Sequence, residues 1–486
     1  MMIEATCAMI CEVTGATQVV GRADKEIRGV SIDSREIVDG SLFVAFPGER
    51  VDGNDFAGAA LENGAGCAVM TRQPDEALVA RARALDASIL VAPDAQGFLG
   101  ALATWWREQV GAVVIGVTGS TGKTTTRTLI ASVLSTEMVT HTASRNYNSL
   151  IGCPLTILAC PRDAQAMVLE MGMGQLGEIA QLCAIARPDL AVVTNVGFAH
   201  IDALGTRENI ARAKSEIIEG LRPSAQQGPV RSRVFLWGED DFEGWMRDRV
   251  AAPHGVDVVT YGTEEGDDAR AEGITVDDLG RASARLRLPS GAHVDAKIAI
   301  SGRHNVLNAL AAAAVGDALG VSAPDIARGL LDVRALRMHQ QVIVTPGGYT
   351  VIDDSYNANP ASMRCAIDQL VDDTAAQRRV ACLGDMEGLG PDAELYHGVV
   401  GGYAAGKGVD LLVCVGAKSR RMAEAAHLMG MAPDAVTCAD TPQQAAEALR
   451  ATVRRGDAVL VIASRATGLD AVVSALVQDD AGEGAC

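Results

Sequence analysis

Residues 116–125 read Gly-Val-Thr-Gly-Ser-Thr-Gly-Lys-Thr-Thr. An apolar run at residues 112–117 precedes this stretch, and a helical pattern, Lys123–Leu134, follows it. A glycine-rich turn between a buried strand and a helix is typical of loops that bind phosphate. Backbone N–H groups at the start of the helix point at the anion, and the helix dipole favours its charge. The stretch therefore predicts a phosphate-binding loop on a parallel α/β sheet.

Each residue type in this loop suits that chemistry. Gly119 and Gly122 would let the backbone approach phosphate closely, Lys123 would reach the terminal phosphates, and the Thr124 hydroxyl would bind Mg²⁺. The usual spacing would place glycine at position 117, where this chain has valine, so the stretch is a Thr-Gly-x-x-Gly-Lys-Thr variant. The flanking strand and helix favour this interpretation over a glycine-rich turn that is merely capped by threonine. The predicted nucleotide contacts in the loop are Gly119, Ser120, Thr121, Gly122, Lys123, Thr124 and Thr125.

Strand and helix patterns alternate along most of the chain, which predicts an α/β fold with parallel sheets. For 486 residues we expect about three domains. These are a small α/β domain over residues 1–107, a central, doubly wound, mostly parallel domain with the phosphate loop over 108–331, and a Rossmann-like domain over 332–486. The predicted strands are at 41–47, 112–117, 166–169, 190–194, 350–352, 380–383, 411–415 and 458–462, and the predicted helices are at 56–66, 123–134, 178–185, 206–220 and 305–319.

Two segments refine this organisation. Residues 228–301 carry short alternating strands with Gly and Asp turns, which predicts an antiparallel edge to the central sheet. The third domain has no Gly-x-Gly-x-x-Gly sequence after its first strand, so it is not expected to bind a dinucleotide.

Composition excludes several classes of protein. The net charge of −19 argues against a nucleic-acid surface, which needs clustered Lys and Arg. The eleven cysteines include no Cys-x-x-Cys pair, so neither a zinc site nor a disulfide framework is predicted. No apolar stretch is long enough to span a bilayer, and the N-terminus lacks the pattern of a signal peptide. We expect a cytoplasmic protein.

Three further residues are candidates for metal binding. Glu170 ends an apolar strand near the crevice where open α/β sheets bind ligands, although a solvated strand end explains it equally well. His200 follows the next strand, where a structural histidine is the alternative. Lys214 lies on a helix and would by itself be taken for a surface lysine. Only six lysines occur in the chain, however, which suggests that an amine is needed at 123 and 214.

Taken together, these residues and several longer strings resemble the Mur ligase family. The similarity runs through nearly the whole chain, and it depends on the order and spacing of the strings rather than on any one of them. The strings are residues 33–35 (Asp-Ser-Arg), 40–45, 52–56, 118–125, 146–152, 169–172, 195–200, 302–309 and 353–360 (Asp-Asp-Ser-Tyr-Asn-Ala-Asn-Pro).

The resemblance implies a role for each matching residue. Lys123 would contact the phosphates of ATP, and Thr124 with Glu170 would bind a first Mg²⁺. His200 would bind a second Mg²⁺ together with Lys214, which many family members carry as a carbamate. A carbamate supplies the oxygen ligand that Mg²⁺ prefers, and arginine could not form one. The implied further contacts are Asn305, Asn308, Arg337, Asp353 and Asn357 for ATP, and Ser34, Arg35, Asp52, Asn146 and Asn148 for a UDP-linked substrate.

The resemblance also implies a reaction. A carboxylate on UDP-N-acetylmuramoyl-tripeptide would be phosphorylated by ATP, and the amine of D-alanyl-D-alanine would then attack the acyl phosphate. The expected partners are therefore small molecules, with two Mg²⁺ ions as cofactors, and we expect a monomer.

Two strings in the third domain depart from the family pattern. Residues 384–390 have Gly388 where the family commonly has Glu, and residues 462–465 (Ile-Ala-Ser-Arg) lack a common lysine. This domain would receive the incoming amine, so the departures concern recognition of the dipeptide and not the ATP chemistry.

Other interpretations remain open. A family branch that adds a single diamino acid is the nearest, but its Asp-x-x-Arg-type motif is absent from the third domain. Folyl-polyglutamate or cyanophycin synthesis would leave the UDP-type strings unexplained. A catalytically silent nucleotide-binding protein is the alternative from another class, and intact Lys123, Glu170 and Lys214 argue against it.

Overall fold

The structure is a computed structural model that describes residues 3–48, 51–222, 230–277, 280–333 and 337–478. It has the predicted α/β architecture with parallel-rich sheets. The outermost parts of the predicted first and third domains, residues 1–2 and 479–486, lie outside the described residues. Within the described residues, none of the helices is both long and apolar enough to cross a lipid bilayer.

The N-terminal domain contains a sheet of order β2-β7-β6-β5-β4, in which only the β2–β7 pair is antiparallel. A separate antiparallel ribbon joins β1 to β3. The strands are β1 (Glu4–Thr6), β2 (Thr17–Val20), β3 (Glu26–Arg28), β4 (Val30–Ser31), β5 (Leu42–Val44), β6 (Cys67–Met70) and β7 (Ser88–Val91), and the helices are α1 (Cys7–Thr14), α2 (Ala57–Glu62) and α3 (Glu76–Ala84).

A long helix, α4 (Ala95–Gln109), connects this domain to the central one. Trp106 on α4 is 1% exposed and donates its indole N–H to the carbonyl of Cys160, 3.0 Å away. Arg107, next to it, pairs with the buried Asp189 at 3.2 Å. A continuous apolar core runs from Ile3 and Leu42 of the first domain to Met167 of the central sheet. The two domains are therefore held together by shared packing.

The central domain is built on a sheet of order β16-β15-β14-β13-β12-β11-β8-β10-β9. Its strands are β8 (Val113–Thr118), β9 (Thr140–Thr142), β10 (Ala166–Glu170), β11 (Leu190–Val193), β12 (Arg233–Trp237), β13 (Asp257–Gly262), β14 (Ala269–Val276), β15 (Arg281–Arg287) and β16 (His293–Ser301). Its helices are α5 (Lys123–Leu134), α6 (Gly152–Leu158), α7 (Glu178–Ala186), α8 (Ile201–Leu204), α9 (Arg207–Glu219), α10 (Glu243–Met246), α11 (Asn305–Ala318) and α12 (Ala323–Asp332).

The predicted antiparallel edge at residues 228–301 is only partly correct, and residues 228–229 lie outside the described chain. β12 pairs parallel with β11, and β13 pairs parallel with β12. The reason is that α10 and the turns after it return the chain to the end of the sheet at which β12 began. The next strand, β13, can then run parallel to β12. Antiparallel pairing is confined to β14–β15 and β15–β16.

The third domain has a sheet of order β17-β18-β22-β19-β20-β21, parallel except for the edge strand β17. Its strands are β17 (Gln341–Val344), β18 (Thr350–Asp354), β19 (Arg378–Gly384), β20 (Leu411–Val415), β21 (Val436–Ala439) and β22 (Asp457–Ile462). Its helices are α13 (Pro360–Asp372), α14 (Ala393–Gly406), α15 (Arg420–Leu428), α16 (Pro442–Thr452) and α17 (Asp470–Gln478). The predicted parallel strands are confirmed, whereas β17 and β21 were not predicted because their apolar runs are too short to assign to a strand by pattern alone.

Candidate active site

A cavity of about 890 Å³ opens at the carboxyl ends of β8, β10 and β11. The strand order reverses at β8, and such a switch point is where open α/β sheets bind ligands. The floor is residues 120–125, one wall is residues 146–151, and the third domain contributes residues from 354 to 365. The central and third domains therefore share one site.

The loop after β8 has the predicted strand–loop–helix form. Gly119 has φ +148°, and a Cβ there would lie 1.8 Å from Thr194 Oγ1. Gly122 has φ +77°, and a Cβ there would lie 2.7 Å from Asn308 Oδ1. Both glycines are thus needed for their backbone conformation and for close packing against neighbouring side chains.

Asn195, which follows β11, holds the loop in place. Its main-chain carbonyl accepts from Ser120 N at 3.0 Å, and its Oδ1 accepts from Thr121 N at 3.1 Å. Its Nδ2 also donates to Thr121 Oγ1 at 2.9 Å. Because these two loop N–H groups bind Asn195, the unpaired N–H groups at the start of α5 are the ones left to bind an anion.

Lys123 and Thr124 lie where the sequence predicted them. Lys123 Nζ donates to the carbonyl of Gly119 at 2.7 Å, within the loop itself. Burial lowers the pKa of Lys123, and the charge of Glu170 opposes that shift. Thr124 Oγ1 donates to Glu170 Oε2 at 2.8 Å. A hydroxyl and a carboxylate side by side are oxygen ligands of the kind that Mg²⁺ prefers.

Glu170 is only 2% exposed, so its carboxylate must be satisfied by neighbours. Asn148 Nδ2 donates to its Oε1 at 2.9 Å. The guanidinium of Arg127 lies 3.8 Å from its Oε2. The strand-end carboxylate predicted at 170 is therefore a buried group in the cavity wall and not a solvated strand end.

His200 and Lys214 are the other predicted metal ligands. His200 lines the cavity at the start of α8, and its φ of +66° turns the backbone there. Its pKa is lowered by desolvation and by the charges of Lys123 and Lys214. Lys214 is 2% exposed, and its Nζ has no hydrogen-bond or ion-pair partner within the described part of the chain. Burial and the nearby Lys123 lower the pKa of Lys214 well below its usual value.

The described residues contain no group of three or more His, Cys, Asp or Glu side chains arranged to hold a metal ion. The predicted set includes only Glu170 and His200 of these types, with Thr124 and Lys214 as the other members. The magnesium sites therefore stay predictions.

Only some of the residues predicted to contact adenine and phosphate line the cavity. Asn305, Asn308 and Asn357 line the cavity. Asn308 Nδ2 donates to Asn305 Oδ1 at 2.7 Å, and Asn305 Nδ2 donates to the carbonyl of Ser301 at 2.6 Å. Arg337 is exposed and does not line the cavity.

Asp353 does not line the cavity either, whereas its neighbour Asp354 does. Asp353 is 5% exposed and accepts from Ser355 Oγ at 2.6 Å, which stabilises the turn after β18. Burial raises the pKa of Asp354 to about 7, with an N–H of Gln340 lowering it and Asp353 raising it further. Asp354 is therefore the carboxylate of this string that faces the site.

The raised pKa of Asp354 predicts a pH-dependent stability. Since the folded pKa exceeds the usual 3.8, the contribution of this group is fully present below about pH 4 and is lost as pH rises through 7. Asp354→Asn mimics the neutral acid, so we expect it to stabilise the protein relative to wild type at pH 8.5, by up to about 4 kcal/mol, and hardly at all at pH 4. Thermal unfolding at several pH values measures this. The exposed Asp372→Asn is the control, and an equal effect of Asp354→Asn at both pH values would contradict the prediction.

The residues predicted to bind the UDP-linked substrate fall into two groups. Asn146 and Asn148 line the cavity. Ser34, Arg35 and Asp52 lie on the N-terminal domain and do not line it. Arg35 pairs with Asp33 at 2.7 Å, and Asp52 caps a short helical turn by accepting from Asn54 N at 2.9 Å.

Known proteins of one family match each of the three domains. A profile described as "Mur ligase middle domain" matches residues 117–316, "Mur ligase, glutamate ligase domain" matches 337–465, and "Mur ligase family, catalytic domain" matches 26–104. UDP-N-acetylmuramoyl-tripeptide–D-alanyl-D-alanine ligase of Bacillus subtilis is 32% identical over 98% of this chain and 99% of its own. The chain belongs to the Mur ligase family. It is therefore an ATP-dependent, amide-bond-forming ligase.

Solved structures of Mur ligases share the whole fold. MurF from Acinetobacter baumannii is 30% identical with a TM-score of 0.84, covering 98% of this chain and 99% of that one. MurF from Thermotoga maritima, solved in complex with ADP, is 26% identical with a TM-score of 0.75, covering 93% and 98%.

Sequence reasoning missed the contacts by which this Mur ligase joins its central and third domains. Asn146 Nδ2 donates to the Tyr356 hydroxyl at 2.9 Å across the cavity. Phe198, two residues before His200, packs on Tyr396 with ring centroids 5.4 Å apart. The aromatic residues in the strings at 195–200 and 353–360 were the available signal, since exposed aromatic side chains in loops often make such contacts.

The structure shows what surrounds the two positions, Gly388 and Ile462, that depart from the family pattern. Gly388 has φ +71°, and a Cβ there would lie 3.5 Å from the carboxylate of Asp202 on α8. A glutamate at 388 would combine backbone strain with like-charge repulsion. Ile462 is fully buried at the end of β22, within the core. Both positions are thus occupied by residues that suit this Mur ligase's own packing.

Proposed function

We propose that this chain joins D-alanyl-D-alanine to the peptide carboxylate of UDP-N-acetylmuramoyl-tripeptide, with conversion of ATP to ADP and phosphate, in peptidoglycan precursor synthesis. The observation that carries the proposal is the shared cavity, in which the phosphate loop, Glu170 and the third domain face one another. The substrate names come from the relatives' names. Because ATP and a UDP-linked precursor are the substrates, we place the reaction in the cytoplasm.

The reaction has two steps. An oxygen of the peptide carboxylate attacks the γ-phosphorus of ATP, and the bond to the β–γ bridging oxygen breaks to release ADP. The amine then attacks the acyl carbon, phosphate leaves with the bonding electrons, and the amine loses a proton to solvent. Both steps develop negative charge on oxygen, which fixed cations and N–H groups stabilise without reorganisation.

Different residues of the chain have different roles in this reaction. The first N–H groups of α5 and the ammonium of Lys123 hold the phosphates. Asn305, Asn308 and Asn357 position the rest of ATP from two domains, which brings the carboxylate and the γ-phosphoryl together and excludes water. Arg337 and Asp353 remain predicted contacts without support from the cavity lining.

Two Mg²⁺ ions fit the donor set. Bound Mg²⁺ would neutralise charge on the reacting oxygens. Thr124 and Glu170, whose oxygens are 2.8 Å apart, would hold the first ion. His200 and Lys214 would hold the second, with Lys214 as a carbamate. Burial lowers the pKa of Lys214, although the charge of Asp240 opposes this, and a lowered pKa favours the neutral amine that reacts with CO₂.

The UDP part of the substrate is assigned to the N-terminal domain. Ser34, Arg35 and Asp52 would bind it there, and Asn146 with Asn148 would direct the peptide into the cavity. The length of a UDP-linked peptide suits this separation, since its reacting carboxylate is far from the uridine.

The proposal predicts that phosphate is released from ATP only when both UDP-N-acetylmuramoyl-tripeptide and D-alanyl-D-alanine are present. A coupled phosphate assay with mass spectrometry of the product measures this, and single amino acids, including diamino acids, serve as alternative amines. Turnover with a single amino acid on a UDP-linked dipeptide would instead assign the chain to another branch of the family. Folded protein that binds ATP but forms no product with any amine would contradict the proposal.

A further inference from the structure

The mechanism above gives no role to Arg127, a buried arginine one turn along α5 from Lys123. Its side chain is 1% exposed, as is that of Glu170, and the two are 3.8 Å apart. Arg127 Nη1 also donates to the main-chain carbonyl of Arg145 at 3.1 Å. One guanidinium therefore touches both the predicted metal carboxylate and the loop that precedes α6.

That loop contacts the other two domains. The Arg145 side chain pairs with Glu36 of the N-terminal domain through both of its terminal nitrogens, at 2.9 and 3.3 Å. Glu36 follows directly on Ser34 and Arg35, the proposed UDP contacts. Asn148 of the same loop holds the second oxygen of Glu170 at 2.9 Å. A chain of direct contacts thus runs from the UDP-binding string to the carboxylate beside Thr124.

We infer that Arg127 is a positioning residue that couples binding of the UDP-linked substrate on the N-terminal domain to the placement of Glu170 in the nucleotide site. The inference rests on the proposed function. When substrate fixes the N-terminal string and the 145–148 loop, the carbonyl of Arg145 and the amide of Asn148 are fixed as well. Asn148 and Thr124 then hold the two oxygens of Glu170, with the Arg127 charge 3.8 Å from Oε2, in the geometry that binds nucleotide with its metal.

The type of residue fits this role. The guanidinium is a rigid, permanently charged plane, so its Nη1 can donate to the Arg145 carbonyl while the charge stays beside Glu170, whereas a lysine ammonium is a single point on a flexible stem. Simple neutralisation of a buried Glu170 is the structural alternative. That role would change nucleotide affinity equally whether or not substrate is bound, so the two roles differ in a measurable quantity.

That quantity is the coupling factor between two ligands. By linkage, the factor by which UDP-N-acetylmuramoyl-tripeptide tightens a non-hydrolysable ATP analogue equals the factor by which the analogue tightens the tripeptide. For wild type we expect coupling of about 10-fold, within the usual range. For Arg127→Met we expect a factor below about 2, and for Arg127→Lys a value between the two.

The experiment is calorimetric titration of the full chain with the analogue and Mg²⁺, with and without the UDP-linked tripeptide. Arg107→Lys is the matched control, because Arg107 is likewise buried and pairs with Asp189 of the central domain, away from the loop. Since Arg127→Met can unfold the domain, Glu36→Ala provides a second test on the surface. Glu36 is 54% exposed, and its loss breaks the same route, so coupling is expected to fall by more than twofold.

The inference is supported if coupling falls in Arg127→Met and persists in Arg107→Lys. It is overturned if Arg127→Met, or Glu36→Ala where the former does not fold, keeps coupling within twofold of wild type. It is also overturned if wild type binds both ligands without coupling. A wild-type protein that binds the analogue but never the tripeptide would overturn the proposed function and this inference together.

Discussion

Lys123→Ala should lower kcat by at least about 10²-fold, because a preorganised group aimed at developing negative charge contributes on the order of 10²–10³ in rate. Lys123 is placed for that role on the cavity floor, one residue before Thr124. The thermal stability of the variant should not fall comparably, because burial already disfavours the charged ammonium in the free protein. Steady-state phosphate release and thermal unfolding, measured on the same preparation, separate the two effects.

Two further variants test whether the loss of kcat is specific to a lysine at position 123. Lys123→Arg keeps the charge, but its planar guanidinium cannot repeat the contact with the Gly119 carbonyl, so we expect little recovery of kcat. Lys407→Ala removes a partly exposed lysine that pairs with Asp368 in the third domain, and it should leave kcat unchanged. If Lys123→Ala keeps a tenth or more of wild-type kcat, the loop does not hold the reacting phosphate.

The parts of the fold predicted well from sequence are those with strong local signals. The helix α5 begins and ends where predicted, because the glycine-lysine turn marks its start and buried β8 precedes it. Four strands of the third domain, β18, β19, β20 and β22, were likewise found from continuous apolar runs. Among the missed strands, β9, β17 and β21 lie partly exposed at sheet edges, whereas β6 and β7 are interior strands whose short apolar runs do not distinguish a strand from a buried helix.

Other errors arose because the sequence alone does not show which way a side chain points or a strand runs. Asp353 and Asp354 are adjacent on β18, and successive side chains of a strand point to opposite faces. The string itself gives no indication of which carboxylate faces the cavity, and the structure shows that it is Asp354. In the same way, the parallel pairing of β12 and β13 depends on the crossover through α10. That crossover was not recognised, because the segment also contains short Gly and Asp turns.

Burial of charged side chains was the least predictable property. Arg127 and Lys214 sit in helices whose patterns allow either a surface or a core position, and both prove to be almost fully buried. The scarcity of lysine was a clue to Lys214, but nothing local distinguished Arg127. In physical terms, such residues are buried only because distant parts of the chain supply a partner or a chemical use for them.

Lys214→Ala should abolish most ligase activity, by at least about 10²-fold, and short carboxylates such as formate, acetate or propionate should restore part of it. The lysine is buried and its pKa is lowered, so its neutral amine can attack CO₂, forming an N–C bond and releasing one proton. The resulting carbamate would place two oxygens near His200, and a free carboxylate could occupy the space left by the truncated side chain. Initial rates against carboxylate concentration measure the recovery.

One control for this prediction changes another residue of the same helix, and the other places a different residue at position 214. Arg212→Ala alters an exposed residue of α9 and should behave like wild type. Lys214→Arg fills the space with a group that cannot form a carbamate, so it should be inactive and should not respond to carboxylates. Labelled ¹³C-bicarbonate should give a carbamate signal in the NMR spectrum of wild type that is missing from both Lys214 variants. Lys214→Ala with wild-type kcat, or wild type without that signal, would show that the second metal site does not use a carbamate.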